Sequence, residues 1–260
     1  MSILLVDMGN SRLKWALQRG STLGRMRALD VTTDAQDVIG TWAAGLKRVS
    51  AVHVVSVAGV QRDRRLTRSL RAAGLPSPQF VQSTMLAAGV RNGYREPWRL
   101  GADRWVAAIA GWHEAGRDCA VAVIDIGTAT TVDVVDATGQ HEGGLIVPGP
   151  GLMVNALLRG TRGIAVRAAG TARTRHRGWA RDTANALDSG ALEATAALVE
   201  RSARLLRKQH GEDAQVFITG GGAAAVLPRV NAPCRHLADL VLRGLVVLAD
   251  AQNLTDVTTP

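Results

Sequence analysis

Residues 3–17, ILLVDMGNSRLKWAL, and residues 120–135, AVAVIDIGTATTVDVV, carry the same pattern at two places in the chain. Each stretch is an apolar run that ends in an aspartate, Asp7 or Asp125, with a glycine two positions later and an alternating segment after it. This order is typical of a β-hairpin whose first strand is buried. Because the two turns lie nearly half the chain length apart, the sequence predicts a duplicated domain.

Strand and helix patterns alternate between and after these hairpins. The periodicity predicts helices over 61–74, 102–115, 152–158, 183–208 and 236–250, and a further strand over 216–219. Alternating strands and helices define an α/β protein. The charged loop at 116–118 predicts a boundary between an N-terminal domain of residues 1–117 and a C-terminal domain of residues 118–260. A basic loop is expected over 159–181, where Arg173, Arg175, Arg177 and Arg181 cluster without an assigned role.

The composition first raises nucleic acid as a partner and then argues against it. The chain has 260 residues, 47% of them hydrophobic, and a formal net charge of +9. Such a charge favours anionic partners. Only 3% of the residues are aromatic, and Tyr94 is the one tyrosine, so the stacking platforms of a single-strand binder are scarce. We therefore expect no nucleic-acid partner, and we read the charge as background that attracts small anions.

Cysteine and histidine usage excludes several classes of protein. Cys119 and Cys234 are the only cysteines, and they form neither a disulfide framework nor a CxxC pair. The histidines show no zinc-ligand spacing, and no GxSxG occurs, which argues against metalloproteases and serine hydrolases. Asp7 interrupts the first apolar run too early for a secretory signal, and no run reaches the roughly 18 residues of a membrane span. The sequence predicts a cytoplasmic protein without membrane contact.

The two aspartate–glycine turns are candidate phosphate sites. In the first turn, Asn10, Ser11 and Lys14 add polar and cationic groups to the backbone N–H groups, and Asp7 is suited to a hydrated magnesium ion. Taken alone, such a turn is more typical of a plain hairpin. The repeat favours the phosphate interpretation, since two such turns can hold one polyphosphate. Asp125 ends a buried strand and needs a cation or hydrogen-bond partners there.

Two further segments allow more than one interpretation. Residues 220–225, GGGAAA, follow a strand and either seat a nucleotide or form a close-packed turn. Residues 92–105, NGYREPWRLGADRW, place Asp103 in the first turn of a helix. Asp103 is there either a helix cap beside a solvated Arg104, or a base that takes a proton from a substrate hydroxyl while Arg104 and Tyr94 hold the substrate.

Five ordered motifs together resemble the type III pantothenate kinases, members of the acetate and sugar kinase, Hsp70 and actin superfamily. Residues 7–14 are similar to the motif DxGN(S/T)xxK, residues 92–105 to NxYxxPxxLGxDRW, and residues 125–133 to the second phosphate motif of that family. Residues 143–149 match GGxIxPG and residues 183–190 match TxxAxxSG. The resemblance implies duplicated actin-like (ribonuclease H-like) domains with the active site in the cleft between them.

The resemblance also implies an activity and its residues. The reaction is ATP-dependent phosphorylation of the primary hydroxyl of pantothenate to 4′-phosphopantothenate, the first step of coenzyme A biosynthesis, with Asp103 as the general base. The residues expected to bind ATP are Asp7, Met8, Gly9, Asn10, Ser11, Arg12, Leu13, Lys14 and Thr128. Those expected to bind pantothenate are Tyr94, Gly101, Ala102, Asp103, Arg104 and Thr183.

Cofactors and oligomeric state follow from the same resemblance. Asp125 is expected to hold a monovalent cation, K⁺ or NH4⁺, and ATP to act with Mg²⁺ or another divalent ion. A homodimer is expected. The alternative is a non-catalytic regulatory or transcription-accessory protein with the same fold, which would have no need of all the acid, cation and phosphate residues.

Overall fold

The chain folds into two compact units that do not follow chain order throughout. The computed structural model describes residues 2–30, 43, 46, 48–171 and 178–257, the last six of these as helix backbone. The first unit comprises Met1–Gly116, Gly139–Glu142 and Asp239–Pro260, and the second comprises Arg117–Thr138 and Gly143–Ala238. Arg173, Arg175 and Arg177 of the expected basic loop lie outside the described residues.

The units differ from the predicted domain ranges in two segments. Residues 139–142 and 239–260, both from the second half of the sequence, pack with the first unit. The ranges 1–117 and 118–260 therefore remain a prediction about the duplicated domains. By their contacts, two short segments of the second range group with the first unit.

The sheet of the first unit is built around strand β1. The strands of this unit are β1 Ser2–Met8, β2 Arg12–Arg19, β3 Thr22–Leu23, β4 Arg27–Asp30, β5 Val49–Ser56 and β6 Pro78–Phe80, with a separate ribbon of β7 Leu86–Ala87 and β8 Val90–Arg91. The main sheet has the order β3-β2-β1-β5-β6, and β4 also pairs with β2. Strand β1 is antiparallel to β2 and parallel to β5. Its side chains are buried almost without interruption, as its unbroken apolar sequence predicts.

The second unit repeats this arrangement. Its strands are β9 Val121–Ile126, β10 Ala129–Val135, β11 His141–Pro148, β12 Gln215–Thr219 and β13 Arg235–His236, in the order β11-β10-β9-β12-β13. Strand β9 is antiparallel to its hairpin partner β10 and parallel to β12, as β1 is to β2 and β5. The first strand of each hairpin thus lies in the middle of its sheet, which confirms the predicted duplication and the α/β class.

Among the described residues, three helices belong to the first unit: α1 Val60–Ala72, α2 Ala102–Glu114 and α7 Leu240–Val257. The predicted stripe of α2 is confirmed, because Trp105, Ile109 and Trp112 are all buried. A 3-10 turn, Pro97–Arg99, leads into α2. Proline has a fixed φ and suits the first position of such a turn.

Helix α7 packs against α2 at very short range. A Cβ atom on Gly244 would come within 2.2 Å of the Val106 carbonyl oxygen, so only glycine allows this approach. Arg243 donates to Asp239, which directly precedes α7, and to Glu114 on α2, each at 2.9 Å. Gln18 of β2 donates to Asp250 of α7 at 2.8 Å. These contacts tie the C-terminal helix to the first unit.

The helices of the second unit are α3 Pro150–Gly160, α4 Arg162–Ala168, α5 Thr183–His210 and the short α6 Ala223–Val226, which a 3-10 turn, Leu227–Arg229, follows. Asp182 caps α5 by accepting a hydrogen bond from the Asn185 backbone N–H at 2.9 Å. Helix α4 corrects the expectation of an uninterrupted loop over 159–181. Ile164 and Ala165 both donate to the Thr161 carbonyl, and this local closure forms a helix despite the basic sequence.

None of the helices in the described part of the chain is both long and apolar enough to cross a bilayer.

Candidate active site

The first aspartate–glycine turn places a carboxylate against a lysine. Asp7 lies opposite Lys14 in the β1–β2 register, and the Lys14 Nζ atom is 3.7 Å from the Asp7 Oδ2 atom, with both side chains largely buried. The Gly9 N–H donates to the Arg12 carbonyl at 2.9 Å and closes the turn, which leaves Asn10 and Ser11 exposed at its tip. The turn therefore presents backbone and short polar side chains above a buried ion pair.

The strand register shows which residues of this motif can offer a side chain to a ligand and which can offer only backbone groups. Met8 and Leu13 lie opposite each other, and their side chains are buried in the apolar core of the first unit. Only their backbone groups can face a ligand. Arg12 pairs with Asp30 of β4 at 2.8 Å on the surface. The sequence alone treated all eight positions of the motif alike.

A basic side chain outside the motif supports the same turn. The Arg62 Nη1 atom, in the first turn of α1, donates to the Asn10 carbonyl at 2.7 Å. Sequence analysis missed Arg62 because α1 carries many arginines, and only the fold shows which one reaches the turn. The contact fixes the tip of the turn and adds a positive charge beside it.

The second turn repeats the hairpin closure with different surroundings. The Gly127 N–H donates to the Ala129 carbonyl at 2.9 Å, as Gly9 does in the first unit. Thr128 is exposed at the tip, and its carbonyl accepts from the Gly149 N–H at 2.9 Å. Asp125 lies opposite Thr131 on one side and opposite Thr219 of β12 on the other. Both neighbours are uncharged.

Glycines from two distant segments close around this second turn. A Cβ atom on Gly220 would lie 2.3 Å from the Asp125 Oδ1 atom, and one on Gly149 would lie 2.2 Å from the Gly127 carbonyl oxygen. The Gly222 N–H donates to the Ile126 carbonyl at 2.8 Å. The stretch 220–225 is therefore close-packed and borders Asp125, and its role in seating a nucleotide stays a prediction.

Within residues 92–105, the structure brings the side chains of Arg104 and Tyr94 together. This side chain is only 8% exposed, and its Nη1 atom donates to the Tyr94 hydroxyl oxygen at 3.0 Å. The interpretation of Arg104 as a solvated helix residue is therefore wrong, because the first turn of α2 points it into the unit. Asn92, also buried, accepts from the Tyr94 N–H at 3.0 Å and donates to the Thr84 and Pro97 carbonyls.

Asp103 lies in the first turn of α2, but it is not the residue at the cap position. That position is Gly101, which makes no side-chain capping bond. The Asp103 Oδ1 atom accepts from the Arg104 N–H at 2.8 Å, and a Cβ atom on Gly101 would lie 2.8 Å from the same oxygen. The absence of a side chain at Gly101 thus lets the backbone lie close to this carboxylate.

Thr183 belongs to the second unit. It begins α5 and, with residues of α3, α4 and α5, lines an apolar cavity of about 400 Å³ in the second unit. Asp103, Arg104 and Tyr94 are brought together within the first unit, and Asp125 and Thr128 within the second.

Neither cysteine is part of the site. Burial raises the pKa of both the Cys119 and the Cys234 thiols, which keeps them protonated and poorly nucleophilic near neutral pH. Within the described ranges, no group of three or more His, Cys, Asp or Glu side chains is placed to hold a metal ion.

Comparison with solved structures defines the class of protein. The chain is similar to the activator of the 2-hydroxyisocaproyl-CoA dehydratase from Clostridium difficile with bound ADPNP, with a TM-score of 0.54, 12% identity and coverage of 100% of this chain and 99% of that one. It is also similar to MreB5 of Spiroplasma citri bound to ADP, with a TM-score of 0.51, 11% identity and coverage of 99% of both chains. The fold is therefore the duplicated actin-like one.

Comparison of sequences then gives the family. The family model described as type III pantothenate kinase matches residues 3–205. The type III pantothenate kinase of Nitrosomonas eutropha is 34% identical over 253 residues, which cover 96% of this chain and 95% of that protein. That of Aromatoleum aromaticum is 36% identical over 248 residues, with coverage of 95% and 97%. The chain belongs to the type III pantothenate kinase family.

The close approach at Asp125 yields a test of the second turn. We expect Gly220→Ala to destabilise the protein by about 1–3 kcal/mol more than Gly211→Ala, because overpacking adds to the backbone strain. Both glycines have a φ of +95°, but the space around Gly211 is open. The free energy of unfolding from denaturant titration measures the difference. Equal losses in the two variants would show that the contact with Asp125 is not tight.

Proposed function

We propose that the protein transfers the γ-phosphoryl group of ATP to the primary hydroxyl of pantothenate. The observation that carries the proposal is the cluster of Asp103, Arg104 and Tyr94 at the start of α2, in a chain that belongs to this kinase family over nearly its whole length. The cluster combines a carboxylate, a buried guanidinium and a phenol. These are the groups needed to bind an anionic alcohol and to remove its proton.

The chemistry assigned to Asp103 is general-base catalysis. The carboxylate takes the hydroxyl proton of pantothenate as the hydroxyl oxygen forms its bond to the γ-phosphorus. The bond from that phosphorus to the β–γ bridging oxygen breaks, and ADP leaves with the electron pair. Since phosphoryl transfer asks the protein mainly for positioning and charge stabilisation, a side chain fixed in the first turn of a helix is well suited.

Substrate recognition is assigned to Arg104 and Tyr94. Pantothenate carries a carboxylate, and a guanidinium with low exposure binds a carboxylate strongly. Gly101 and Ala102 are proposed to lie against pantothenate as it approaches Asp103. The missing side chain at Gly101 keeps the backbone close to the Asp103 carboxylate. Thr183, at the start of α5 in the second unit, is proposed as a further pantothenate ligand on the family resemblance.

ATP binding is assigned to the two hairpin turns. Backbone N–H groups of residues 7–14, the exposed Asn10 and Ser11 side chains and the exposed Thr128 are proposed to bind the phosphates. Lys14 and Arg62 supply positive charge at the first turn. Mg²⁺, when bound with ATP, would neutralise phosphate charge. Asp7 is the residue proposed to act on this ion through bound water.

The relatives favour an enzyme over a regulatory protein. The curated relatives carry the name of the kinase, and the acid and phosphate residues of the motifs are all present in this chain. A reaction that consumes ATP also fits the cytoplasm, which we propose as its location.

Removal of the base gives the main test. Wild-type protein with ATP, Mg²⁺, K⁺ and pantothenate should release ADP, and Asp103→Asn should lower kcat by about 10²–10⁴-fold with KM within a few-fold of wild type. The amide keeps an oxygen that can accept from the Arg104 N–H, so the thermal unfolding midpoint should not change. A coupled ADP-release assay measures turnover.

The matched control for this test is Asp213→Asn, which changes an exposed carboxylate in the second unit. This variant should retain full activity. Unreduced turnover in Asp103→Asn would rule out the base, and absence of ADP release by the wild-type protein would rule out the reaction.

Asp125 is proposed to hold a monovalent cation. A Cβ atom on Gly220 would lie 2.3 Å from the Asp125 Oδ1 atom and 2.4 Å from the Ile126 carbonyl oxygen, so these two oxygen atoms lie close together at the end of β9. Oxygen-only donors of this kind suit K⁺ or NH4⁺. The ion would add positive charge beside the phosphates of ATP.

Exchange of the cation tests this assignment. Replacement of KCl by NaCl at constant ionic strength should lower the wild-type kcat/KM for ATP by at least about 10-fold, equivalent to 1.4 kcal/mol. Asp125→Asn should be slow in both salts, whereas Asp213→Asn should respond as wild type does. A K⁺ response that survives in Asp125→Asn would place the ion elsewhere.

We further propose a homodimer formed through the second unit. Exposed large apolar side chains concentrate between residues 145 and 179: Leu145, Ile146, Leu152, Leu157, Val166 and Trp179. Large exposed apolar patches on soluble proteins mark interaction surfaces. These residues belong to β11, α3, α4 and the segment before α5, and Leu157 also lines the apolar cavity.

A charge placed in this region should separate the subunits. Wild-type protein should show twice the mass of one chain by light scattering, and Ile146→Asp should weaken the dimer by at least about 10-fold because the charge would be buried unpaired. Val60→Asp is the control, since Val60 is similarly exposed at 65% against 63% but lies in the first unit. A monomeric wild-type protein would refute the dimer.

A further inference from the structure

A short segment from the second half of the chain contacts residues 91–94. Residues Gly139–Glu142 follow β10 but belong to the first unit. The Arg91 N–H donates to the Gly139 carbonyl at 2.9 Å, and Arg91 forms a parallel bridge with Gln140. A Cβ atom on Gly93 would lie 1.9 Å from the His141 carbonyl oxygen. The backbone of this segment is therefore in direct contact with the loop that carries Tyr94.

The side chain of His141 continues this contact. His141 is completely buried, and its ring stacks on the ring of Tyr94, with centroids 6.0 Å apart and planes 27° apart. Stacked aromatic rings at this distance attract each other beyond the area they bury. None of the sequence motifs includes His141, and neither the reaction nor nucleotide binding has used it so far.

Tyr94 in turn contacts Arg104, the residue proposed to bind the substrate. Its hydroxyl oxygen accepts from the Arg104 Nη1 atom at 3.0 Å, and the guanidinium carbon lies 5.8 Å from the centre of the Tyr94 ring. The backbone at Tyr94 has no regular secondary structure, so the direction of the ring depends on such side-chain contacts. His141, Tyr94 and Arg104 form a continuous series of contacts from the buried segment to the guanidinium.

We propose that His141 is a positioning residue for substrate binding: its ring fixes the Tyr94 ring, and thereby the Arg104 guanidinium, in the orientation that receives the carboxylate of the substrate. This inference rests on the proposed function of the same site. His141 touches neither reacting atom, so it acts on the affinity for the acceptor substrate and not on proton removal.

Two substitutions separate the ring from the polarity of His141. His141→Phe keeps an aromatic face and loses the ring nitrogens, whereas His141→Gln keeps a polar group and loses the ring. If stacking positions Tyr94, His141→Gln should raise KM for pantothenate about three- to ten-fold, with KM for ATP and kcat within two-fold of wild type. His141→Phe should stay within two-fold for all three constants.

The matched control is His113→Gln, which removes another histidine of the first unit. His113 is half-buried and its Nε2 atom contacts the Ala88 carbonyl oxygen at 2.7 Å, away from Tyr94. This variant should leave KM for pantothenate unchanged. If the buried amide of His141→Gln prevents folding, His141→Leu, which is apolar and also lacks the ring, takes its place with the same expectation.

A second readout does not depend on activity. Tyr94 is the only tyrosine of the chain, so protein labelled with 3-fluorotyrosine gives its fluorine NMR signal from this one ring. Loss of the stacked neighbour should shift and narrow that signal in His141→Gln. The signal should stay close to wild type in His141→Phe and in His113→Gln.

The outcomes distinguish this inference from the proposed function. A KM for pantothenate and a fluorine signal that stay at wild-type values in His141→Gln would overturn the positioning role, and so would equal effects of Phe and Gln. A wild-type protein that does not phosphorylate pantothenate would overturn the proposed function and with it the role in substrate binding. The fluorine spectra would then still show whether His141 fixes the Tyr94 ring.

Discussion

A carboxylate at the end of the central buried strand is the constraint on which each unit depends. Asp7 and Asp125 occupy equivalent places, and a charge at such a place needs compensation within hydrogen-bond or ion-pair distance. The units meet this need differently. Lys14 lies opposite Asp7 in the hairpin register, whereas uncharged Thr131 lies opposite Asp125 and the backbone around Gly220 closes on its carboxylate. The residue that lies opposite the aspartate in the hairpin therefore differs between the two units, Lys14 in one and Thr131 in the other. The proposed roles of the two turns differ at this same position.

The sequence predicted the features that depend on local pattern. The two hairpins, the helix with Trp105 and Ile109, and the long helix that begins at Thr183 all follow from periodicity and turn chemistry, and the structure has each of them. The sequence did not show which motif positions are buried and which are exposed. A motif names Met8 alongside Asn10, but only the register shows that one is core and the other is exposed.

Features that depend on contacts between distant residues could not be predicted. Nothing near Arg62 distinguishes it from the other arginines of α1, and nothing near His141 links it to Tyr94. Both contacts arise because the fold brings together residues separated by about fifty positions or more. The burial of Arg104 has the same origin. A cap-like position predicts exposure, whereas the partner that makes burial acceptable, the Tyr94 hydroxyl, lies on a separate loop.

The packing of α7 on α2 has a consequence for synthesis of the protein. The chain emerges from the ribosome from its N-terminus, and domains generally fold as units during that process. The first unit, however, is completed by α7, which is made after the second unit, through Gly244 against Val106 and Asp250 against Gln18. The N-terminal sheet must therefore wait, with the faces of β1 and α2 that α7 covers still in water, until the second unit has been synthesised. Emergence of α7, and not of the first half of the chain, is the event that lets the first unit close.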